Sequence, residues 1–531
     1  MAVLLVFIVI ALLFGYVICR TLFLGPRLPK GLALIGTKQG DLLPFLQATW
    51  RNSFNVHGGV MEAYTQHKDQ PVILPVMGLG AATLIMLPAS DTTFLSEQPS
   101  SELSLREVII DGLQYRYTLS DKYILTHPLH KKLITTTLTN QVGNLLPHLA
   151  DETIFGFGQS WGTDTETFQD ICVWSTVGRV IGSATNRVFV GLPYCRDPAL
   201  LDAGYAYARS LPVSATLLGW VWEPVRPLVA PLITLQTRSC ERRFARVLMP
   251  EIERRLREYD DGEKASKKND FLQWSLAQAK ESGDPAMWKP RTLASRILLM
   301  NMVSIHTSSL TFTNVIFDLV SSKPEYIEEL RTEVADVLNE CGGVWTKAAL
   351  ARMSKLDSVF RESARLNTSV AVGLRRKVLA KDGLTPPSGV HIPYGNICAV
   401  PSLAVLTDDK VYPDAGTFHP FRFVEQRYDI DTGDRPKDHV TSARLTFPAT
   451  SNDYLAFGNG RQACPGRFFA ASELKLMLAY VLMNYDLEML DTRPPGRWIG
   501  VLRMPATDAT IRVRRRKVPL ADFSSVASEE S

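Results

Sequence analysis

The first 24 residues form a hydrophobic segment unlike the rest of the chain. Residues 1–19 carry no charged side chain, and past Arg20 the apolar positions continue to Leu24. About 20 apolar helical residues span the hydrocarbon core of a bilayer, so residues 1–24 are predicted to be a transmembrane anchor. A cleaved signal peptide is the alternative. It needs a basic start, a shorter apolar core and a small-residue cleavage site, and none of these is evident.

The charges and prolines after this segment indicate how the chain leaves the membrane. Arg20, Arg27 and Lys30 follow the start of the apolar run, and no basic residue precedes it. The positive-inside rule then keeps the bulk of the chain in the cytoplasm. Two prolines make residues 25–31 a stiff hinge. We therefore expect a single-pass membrane protein of the endoplasmic reticulum with its main domain facing the cytosol.

Beyond the hinge, helical and strand-like patterns alternate along one long domain. Short apolar runs within residues 60–96, broken by Gly and Pro, predict strands. Between about 125 and 375 the spacing of apolar positions is mostly helical. The helical segments are 168–181, 248–259, 291–320, 325–340 and 355–366. Residues 376–450 favour strands and loops, and a helix follows Cys464. The pattern predicts a mainly α fold with a minor β region over residues 32–517, and a polar tail over 518–531.

Composition narrows the class of protein further. Lys plus Arg is 58 and Asp plus Glu is 54, for a net charge of +4, which argues against a nucleic-acid partner. With 46% apolar and 21% charged residues the chain has the composition of a folded protein. Seven scattered cysteines, none in a C-x-x-C pair, exclude a disulfide scaffold and a zinc ribbon.

One cysteine stands in an unusual loop, with the sequence F-G-N-G-R-Q-A-C-P-G-R at 457–467. Gly458, Gly460 and Gly466 permit tight turns and the close approach of a flat ligand. Cys464 lies just before an apolar helix, where backbone N–H groups favour a thiolate. Such a thiolate is either a metal ligand or a nucleophile. The alternative is a buried free cysteine in a glycine turn.

The spacing F-x-x-G-x-x-x-C-x-G closely resembles the haem-binding loop of the cytochrome P450 family. The resemblance implies a cytochrome P450 fold preceded by one N-terminal transmembrane helix, with haem b (iron protoporphyrin IX) as cofactor and Cys464 as the axial thiolate ligand of iron. Phe457 is then expected to pack under the haem. Position 462 usually carries Arg or His. Gln462 offers a hydrogen bond without charge, and Arg461 is expected to compensate. The loop residues assigned to the cofactor are Cys464, Phe457, Gly458, Gly460, Arg461, Gln462 and Gly466.

Two further motifs support the same family. Glu362 and Arg365, in E-x-x-R spacing, lie on one face of a predicted helix. Alone they would indicate a surface ion pair of little energetic value. Together with Arg422 in F-H-P-F-R-F they resemble the family's buried structural triad.

The long segment 291–320 contains S-I-H-T-S at 304–308, where the family usually has A-G-x-D/E-T-T. By this resemblance Thr307 takes the position of the threonine that organises proton delivery to bound dioxygen. A mid-helix threonine can also bond back to a carbonyl and open a kink. His306 stands where an acid is usual. An imidazole can relay protons near neutral pH, but it could equally be a structural hydrogen-bonding residue. This variant is familiar in fungal secondary-metabolism members.

The clamp on the haem propionates departs from the family pattern. The usual W-x-x-x-R falls on Lys131 and Thr135, so neither usual residue is present. Lys131, with His130 or Lys132, is a candidate substitute, and a solvated basic patch is the alternative. Arg375 and Arg376 precede the strand region in which many members place another propionate partner. The sequence does not decide between them, and Arg376 is the assigned candidate.

The resemblance also implies the reaction partners. A lipophilic substrate is expected above the haem, lined by residues 103–117, 302–305, 370–373 and 499–501. The predicted activity is that of a monooxygenase, which uses O2 and electrons from an NADPH-cytochrome P450 reductase. Arg461, Arg467 and Lys475 are candidate contacts for that reductase. His306-Thr307 in the long segment, the loop sequence R-Q-A-C-P-G-R-F-F-A and the predicted membrane anchor occur together here. This combination resembles fungal enzymes acting on terpenoid, indole-diterpene or polyketide intermediates. A haem-thiolate isomerase or dehydratase, or a non-catalytic haem-binding membrane scaffold, are the alternatives.

Overall fold

The fold is known from a computed structural model. It describes Gly15, Leu28, Pro29 and residues 31–77, 83–261, 268–427 and 439–517. The predicted anchor (residues 1–24), apart from Gly15, and the tail (518–531) lie outside the described residues, as does most of the predicted hinge. Within the described ranges, no helix is both long enough and apolar enough to cross a membrane.

Most of the described chain is helical, as the spacing of apolar positions predicted. The first half of the chain contributes twelve of these helices: α1 Pro44–Phe54, α2 Val56–Gln66, α3 Thr92–Glu97, α4 Leu105–Gly112, α5 Tyr115–Thr118, α6 Tyr123–Thr126, α7 Leu129–Leu133, α8 Thr139–Trp161, α9 Val173–Phe189, α10 Pro198–Trp220, α11 Arg226–Ile233 and α12 Leu235–Asp260. The described second half adds nine: α13 Phe271–Glu281, α14 Pro290–Val320, α15 Pro324–Glu340, α16 Lys347–Arg352, α17 Ser354–Leu366, α18 Ser402–Leu406, α19 Arg422–Glu425, α20 His439–Arg444 and α21 Arg467–Asn484.

Short irregular turns connect some of these helices. They are the 3-10 turns Ala89–Asp91, Tyr194–Arg196, Glu223–Val225 and Gly460–Gln462, and the π-helical turn Ile134–Leu138.

The strands form three small sheets. They are β1 Ala33–Leu34, β2 Val72–Leu74, β3 Leu84–Met86, β4 Leu103–Ser104, β5 Gln169–Cys172, β6 Gly373–Val378, β7 Ile397–Val400, β8 Tyr485–Leu487, β9 Arg497–Ile499, β10 Leu502–Met504 and β11 Thr510–Arg515. The first sheet has the order β1-β2-β3-β7-β6-β4, the second pairs β9 with β10, and the third has the order β5-β11-β8. The mainly α architecture with a minor β region is therefore confirmed.

Helix α14 forms the centre of the helical part. It has 31 residues, or roughly 45 Å of helix, and begins with a proline at its first turn, where the missing N–H costs nothing. Its buried residues occur on almost every side, as expected for a helix that crosses a core. It packs against α9, α10, α12 and α17.

Two predicted regions differ from the structure. Residues 60–96 were expected to be strands, but only β2 and β3 are, while α2 covers part of the region and α3 another part. The helix predicted over 168–181 begins at Val173, because the preceding residues form β5, paired antiparallel with β11. That partner lies more than 300 residues later in the chain, so the local spacing of apolar residues cannot indicate the pairing.

Candidate functional site

The Cys464 loop is built by its own backbone. The Cys464 N–H donates to the Phe457 carbonyl at 2.8 Å, and the Gly458 N–H donates to the Leu455 carbonyl at 2.9 Å. Gly458 and Gly460 have φ of 70° and 66°, the left-handed region that favours glycine. A Cβ on Gly460 would also collide with the Ser96 carbonyl oxygen. Both glycines are therefore required by the path of the loop.

The thiol of Cys464 has the environment of a metal ligand. Cys464 is exposed, yet surrounding protein atoms raise the pKa of its thiol, against the opposing effects of the Gly466 and Arg467 N–H groups and the Arg467 charge. An exposed thiol in such surroundings lies on the wall of an internal space. The raised pKa disfavours a free thiolate nucleophile, whereas a cation bound to the sulfur would deprotonate it. The residue therefore fits a metal ligand better than a free nucleophile.

Aromatic packing supports the loop from below. The half-buried Phe457 ring lies 5.0 Å from the ring of Phe447, which lies 5.3 Å from Phe360 of α17. The Arg467 guanidinium donates to the Cys464 carbonyl at 2.9 Å and lies over the Phe468 ring. The cysteine is thus held from both sides of the loop.

Gln462 has a different contact from the one expected. Its Oε1 accepts from the Leu105 N–H and its Nε2 donates to the Leu103 carbonyl, both at 2.8 Å. The amide binds the backbone at the junction of β4 and α4, and so fixes the loop to that segment. Arg461 is exposed and pairs with no carboxylate in the described part of the chain.

Helix α14 carries a short exposed stripe in the middle of its buried length. Val303 is 41% exposed, and Thr307, one turn later, is also exposed. The Thr307 hydroxyl donates to the Val303 carbonyl at 2.9 Å and lies 3.2 Å from the Ser304 carbonyl. The predicted back-bond is present, while the helix runs unbroken through it. Val303 and Thr307 are therefore accessible although most of the helix around them is buried.

His306 does not lie on this stripe. Its ring stacks on Trp174 of α9 at 6.2 Å between centroids, and meets Tyr205 of α10 edge-on at 6.2 Å. Burial, more than any nearby charge, lowers the pKa of His306. The imidazole is therefore directed at neighbouring helices and away from the hydroxyl of Thr307.

Two arginines of β6 have no anionic partner among the residues that the structure describes. Arg376 is 2% exposed, its Nε has no hydrogen-bond partner, and burial lowers its pKa to about 10. Arg375 is half-buried, and burial lowers its pKa too. No carboxylate among the described residues forms an ion pair with either of them. A buried cation is stable only with an anion beside it, so this strand fits a cofactor that carries carboxylates, as haem does.

The expected clamp in α7 is open to solvent. Lys131 is exposed, and the Thr135 hydroxyl donates back to the Lys131 carbonyl at 3.0 Å. His130, by contrast, is half-buried, and burial together with Arg296 lowers its pKa to about 4. His130 is therefore neutral near pH 7, while contact of Lys131 with a propionate stays a prediction.

The predicted triad is confirmed. Arg365 binds both carboxylate oxygens of Glu362 at 2.8 Å, and the Arg422 Nε lies 3.1 Å from the same carboxylate. Arg365 also donates to the carbonyls of Leu406 and Ala415. The cluster joins α17 to the long loop before α19 and lies entirely within the protein.

The sequence analysis missed one buried acid. Glu473 in α21 is fully buried, and burial raises its pKa to about 8. Its carboxyl group accepts from the Thr185 hydroxyl at 3.0 Å and contacts Ser308 of α14, the neighbour of Thr307. The signal was present, because Glu473 is the single acid of a mostly apolar helix, nine positions after Cys464.

Two of the predicted pocket segments are adjacent. The Ala371 N–H donates to the Val501 carbonyl at 3.1 Å, and Val370 pairs with Leu502. Ile499, at the tip of the β9–β10 hairpin, is exposed. Lys475, in contrast, was expected on the surface for a reductase, and this was wrong. It is 4% exposed and bonded to the Leu350 carbonyl and Asp357, because it lies on the inner face of α21.

Comparison with known proteins identifies the family. The cytochrome P450 family model matches residues 124–508. The chain is 29% identical over 93% of its length to cytochrome P450 monooxygenase astC of Aspergillus terreus, covering 94% of that protein. It is 34% identical over 79% of its length to cytochrome P450 monooxygenase 151 of Postia placenta, covering 82% of that protein.

A solved structure agrees with this assignment at the level of the fold. The structure of retinoic acid-bound cyanobacterial CYP120A1 superposes with a TM-score of 0.63 at 18% identity, over 88% of this chain and 96% of the other. The matched region includes α14, the triad, the unpaired arginines and the exposed Cys464. The chain therefore belongs to the cytochrome P450 family, as a monooxygenase whose haem is ligated by a cysteine thiolate.

Proposed function

We propose that this monooxygenase is a membrane-anchored enzyme of fungal secondary metabolism that oxidises a lipophilic intermediate such as a terpenoid, an indole-diterpene or a polyketide. The observation that carries the proposal is the Val303–Thr307 stripe, where an apolar side chain and a hydroxyl are accessible together within a buried helix. The exposed Ile499 and the adjoining Val370 add apolar surface of the same kind. A substrate bound there loses water from apolar carbon, which favours lipophilic compounds.

When bound, the haem supplies the iron at which O2 is reduced and from which one oxygen atom is transferred. Cys464 would bind that iron through its sulfur, while Arg375 or Arg376 would neutralise the propionates. The Thr307 hydroxyl, now donating to the Val303 carbonyl, is free to rotate and hold a proton at Oγ1.

Electrons are proposed to come from a separate NADPH-cytochrome P450 reductase. Lys131, Lys132 and Arg461 are exposed on the side of the Cys464 loop and α7, and exposed cations there would attract an acidic partner surface. Arg467 contributes less, since its guanidinium is already bound to the loop carbonyl.

Membrane attachment through residues 1–24, in the endoplasmic reticulum and with the domain in the cytosol, is part of the same proposal. Exposed apolar residues at the end of α10 and through α11 support it, because they offer a second surface that avoids water. They are Val213, Leu217, Trp220, Trp222, Leu228, Leu232 and Leu235.

The test uses full-length protein in microsomes with an NADPH-cytochrome P450 reductase. The reduced protein is expected to give the strongly red-shifted carbon monoxide band of thiolate-bound haem, and Cys464→Ala to lose it. Terpenoid, indole-diterpene and polyketide panels are then screened for NADPH consumption with a product that has gained one oxygen atom. Thr307→Val is the matched variant, expected to consume NADPH with much less product.

Product formation without NADPH would instead identify an isomerase or dehydratase. A haem-loaded protein that converts none of the three panels would contradict the proposed substrate class.

A further inference from the structure

Gln462 connects the Cys464 loop to the start of helix α4. The Leu105 N–H is the first of α4 and has no carbonyl partner within that helix. Gln462 Oε1 accepts from this N–H at 2.8 Å, and Gln462 Nε2 donates to the Leu103 carbonyl of β4, also at 2.8 Å. Both polar atoms of one amide therefore bind the backbone on the two sides of the β4–α4 junction.

A neutral amide is suited to this position. The first turn of a helix carries partial positive charge, which favours an acceptor and disfavours a cation. The N-cap residue Ser104 supplies a second acceptor there, since its hydroxyl oxygen accepts from the Glu107 N–H at 3.2 Å. Arginine, one of the usual residues at position 462 in the family, has no acceptor atom. Gln462 therefore makes a contact that an arginine could not make.

Helix α3 holds the earlier part of the same loop. The Gly460–Gln462 turn packs against α3, and Gly460 lies so close to the Ser96 carbonyl that a Cβ would overlap it. Asn452 Nδ2 donates to the Thr93 hydroxyl at 2.8 Å. These contacts fix the start of the loop on α3, whereas the glutamine amide fixes its later part on α4.

Cys464 follows this amide by two residues. Its N–H donates to the Phe457 carbonyl at 2.8 Å, and the Ala463 N–H donates to the Gly460 carbonyl at 3.1 Å. Backbone bonds over so short a stretch leave little freedom between position 462 and the sulfur. A displacement of the β4–α4 junction therefore reaches Cys464 through the Gln462 amide.

We infer that Gln462 is a positioning residue that couples occupancy of the substrate cavity to the loop that carries the haem ligand. The inference rests on the proposed function in taking residues 105–112 as a wall of that cavity. An apolar ligand that orders α4 then also orders the loop, because the amide joins the two. The coupling is reciprocal, since a loop that is fixed on α4 must also raise the affinity for that ligand.

The first experiment compares two iron ligands in the haem-loaded, full-length protein. Imidazole and clotrimazole each bind iron through an imidazole nitrogen, but only clotrimazole carries bulky aryl groups that fill an apolar cavity. Hydrogen–deuterium exchange is measured over residues 105–112 and 457–467. In the wild type, clotrimazole should slow exchange in both segments about fivefold relative to imidazole, the size of one net hydrogen bond.

Gln462→Ala removes both hydrogen bonds while α4 keeps its place in the cavity wall. In this variant clotrimazole should still slow exchange over 105–112, but exchange over 457–467 should be the same with either ligand. Gln462→Arg should behave like Gln462→Ala, because it offers no acceptor. The matched control is Asn452→Ala, which removes the bond to Thr93 of α3 and should retain the wild-type difference.

Ligand affinity provides a check that does not depend on exchange. By reciprocity, Gln462→Ala should bind clotrimazole about fivefold more weakly and imidazole with wild-type affinity, in titrations of the Soret band. A difference over 457–467 that survives in Gln462→Ala would overturn the coupling. So would the absence of a difference in either segment of the wild type, a result that requires no variant to fold. A protein that oxidises no lipophilic compound would refute the proposed function and leave the coupling measured with the azoles in place.

Discussion

Two groups of buried arginines in this protein differ in whether the chain supplies their anion. Arg365 and Arg422 both reach Glu362, in a cluster in which each charge has a partner. Arg376 and its neighbour Arg375 reach no carboxylate in the described ranges. Since removing a charge from water without compensation is expensive, the first group is complete within the fold and the second is completed by a ligand. Charge pairing thus separates residues that hold the fold from residues that hold a cofactor.

The largest effect is expected where the complete cluster is broken. Glu362→Gln keeps the shape of the side chain but leaves Arg365 and Arg422 buried without an anion. We expect a loss of about 3–5 kcal/mol in the free energy of unfolding, measured by urea denaturation. The control is Glu340→Gln at an exposed pair with Arg352, which should cost less than about 1 kcal/mol. Equal losses in the two variants would contradict the distinction.

For the second group, Arg375 and Arg376, the expected change in the free energy of unfolding has the opposite sign. Arg376→Leu removes a buried cation that has no anion among the described residues, so the haem-free chain should become more stable, by about 1–3 kcal/mol. Haem, however, should leave the variant about tenfold faster or more, because its carboxylates lose their partner. Transfer of haem to apomyoglobin measures that rate. Arg375→Leu is the parallel variant, and the one with the faster transfer identifies the main contact. Wild-type rates of haem transfer in both variants would show that β6 does not hold the cofactor.

A smaller effect, on the pH dependence of stability, is expected from the buried acid Glu473. The pKa of Glu473 is raised to about 8 by burial, above the value near 4.3 of an unfolded chain. Its contribution to stability is therefore complete below about pH 4 and is lost as the pH rises towards 8. Stability should fall by at most about 1.4 kcal/mol per pH unit over that interval.

In Glu473→Gln the slope should be shallower over the same interval, as followed by urea denaturation at several pH values. The other titratable groups contribute equally to the pH dependence of stability in the wild type and in the variant. An unaltered slope in the variant would show that Glu473 is ionised in the folded protein.

Sequence patterns predicted the parts of the fold that depend on local periodicity. Helix α14, predicted over 291–320, differs from the observed Pro290–Val320 by one residue, because long apolar periodicity and a flanking proline are both local signals. Strand β5 was missed because its pairing with β11 joins distant parts of the chain. Cys464 and the triad were predicted because each belongs to a motif with a fixed spacing between its residues.

Side-chain direction could not be predicted in the same way. Gln462 was expected to meet the cofactor and binds backbone at 103 and 105 instead. Lys475 was expected outside and lies inside. Each position is on the right element, but the rotation of a helix or turn by one residue changes which neighbour a side chain meets. His306 and Thr307 illustrate this, because His306 packs against α9 and α10 while Thr307, the next residue, is exposed.

A newly made chain has to keep Cys464 chemically intact until haem arrives. The raised pKa of its thiol keeps the sulfur protonated at neutral pH, and protonated sulfur reacts slowly with peroxides, disulfides and alkylating agents. The protein atoms around Cys464 that form the iron-binding site therefore also slow oxidation of the sulfur in the haem-free protein.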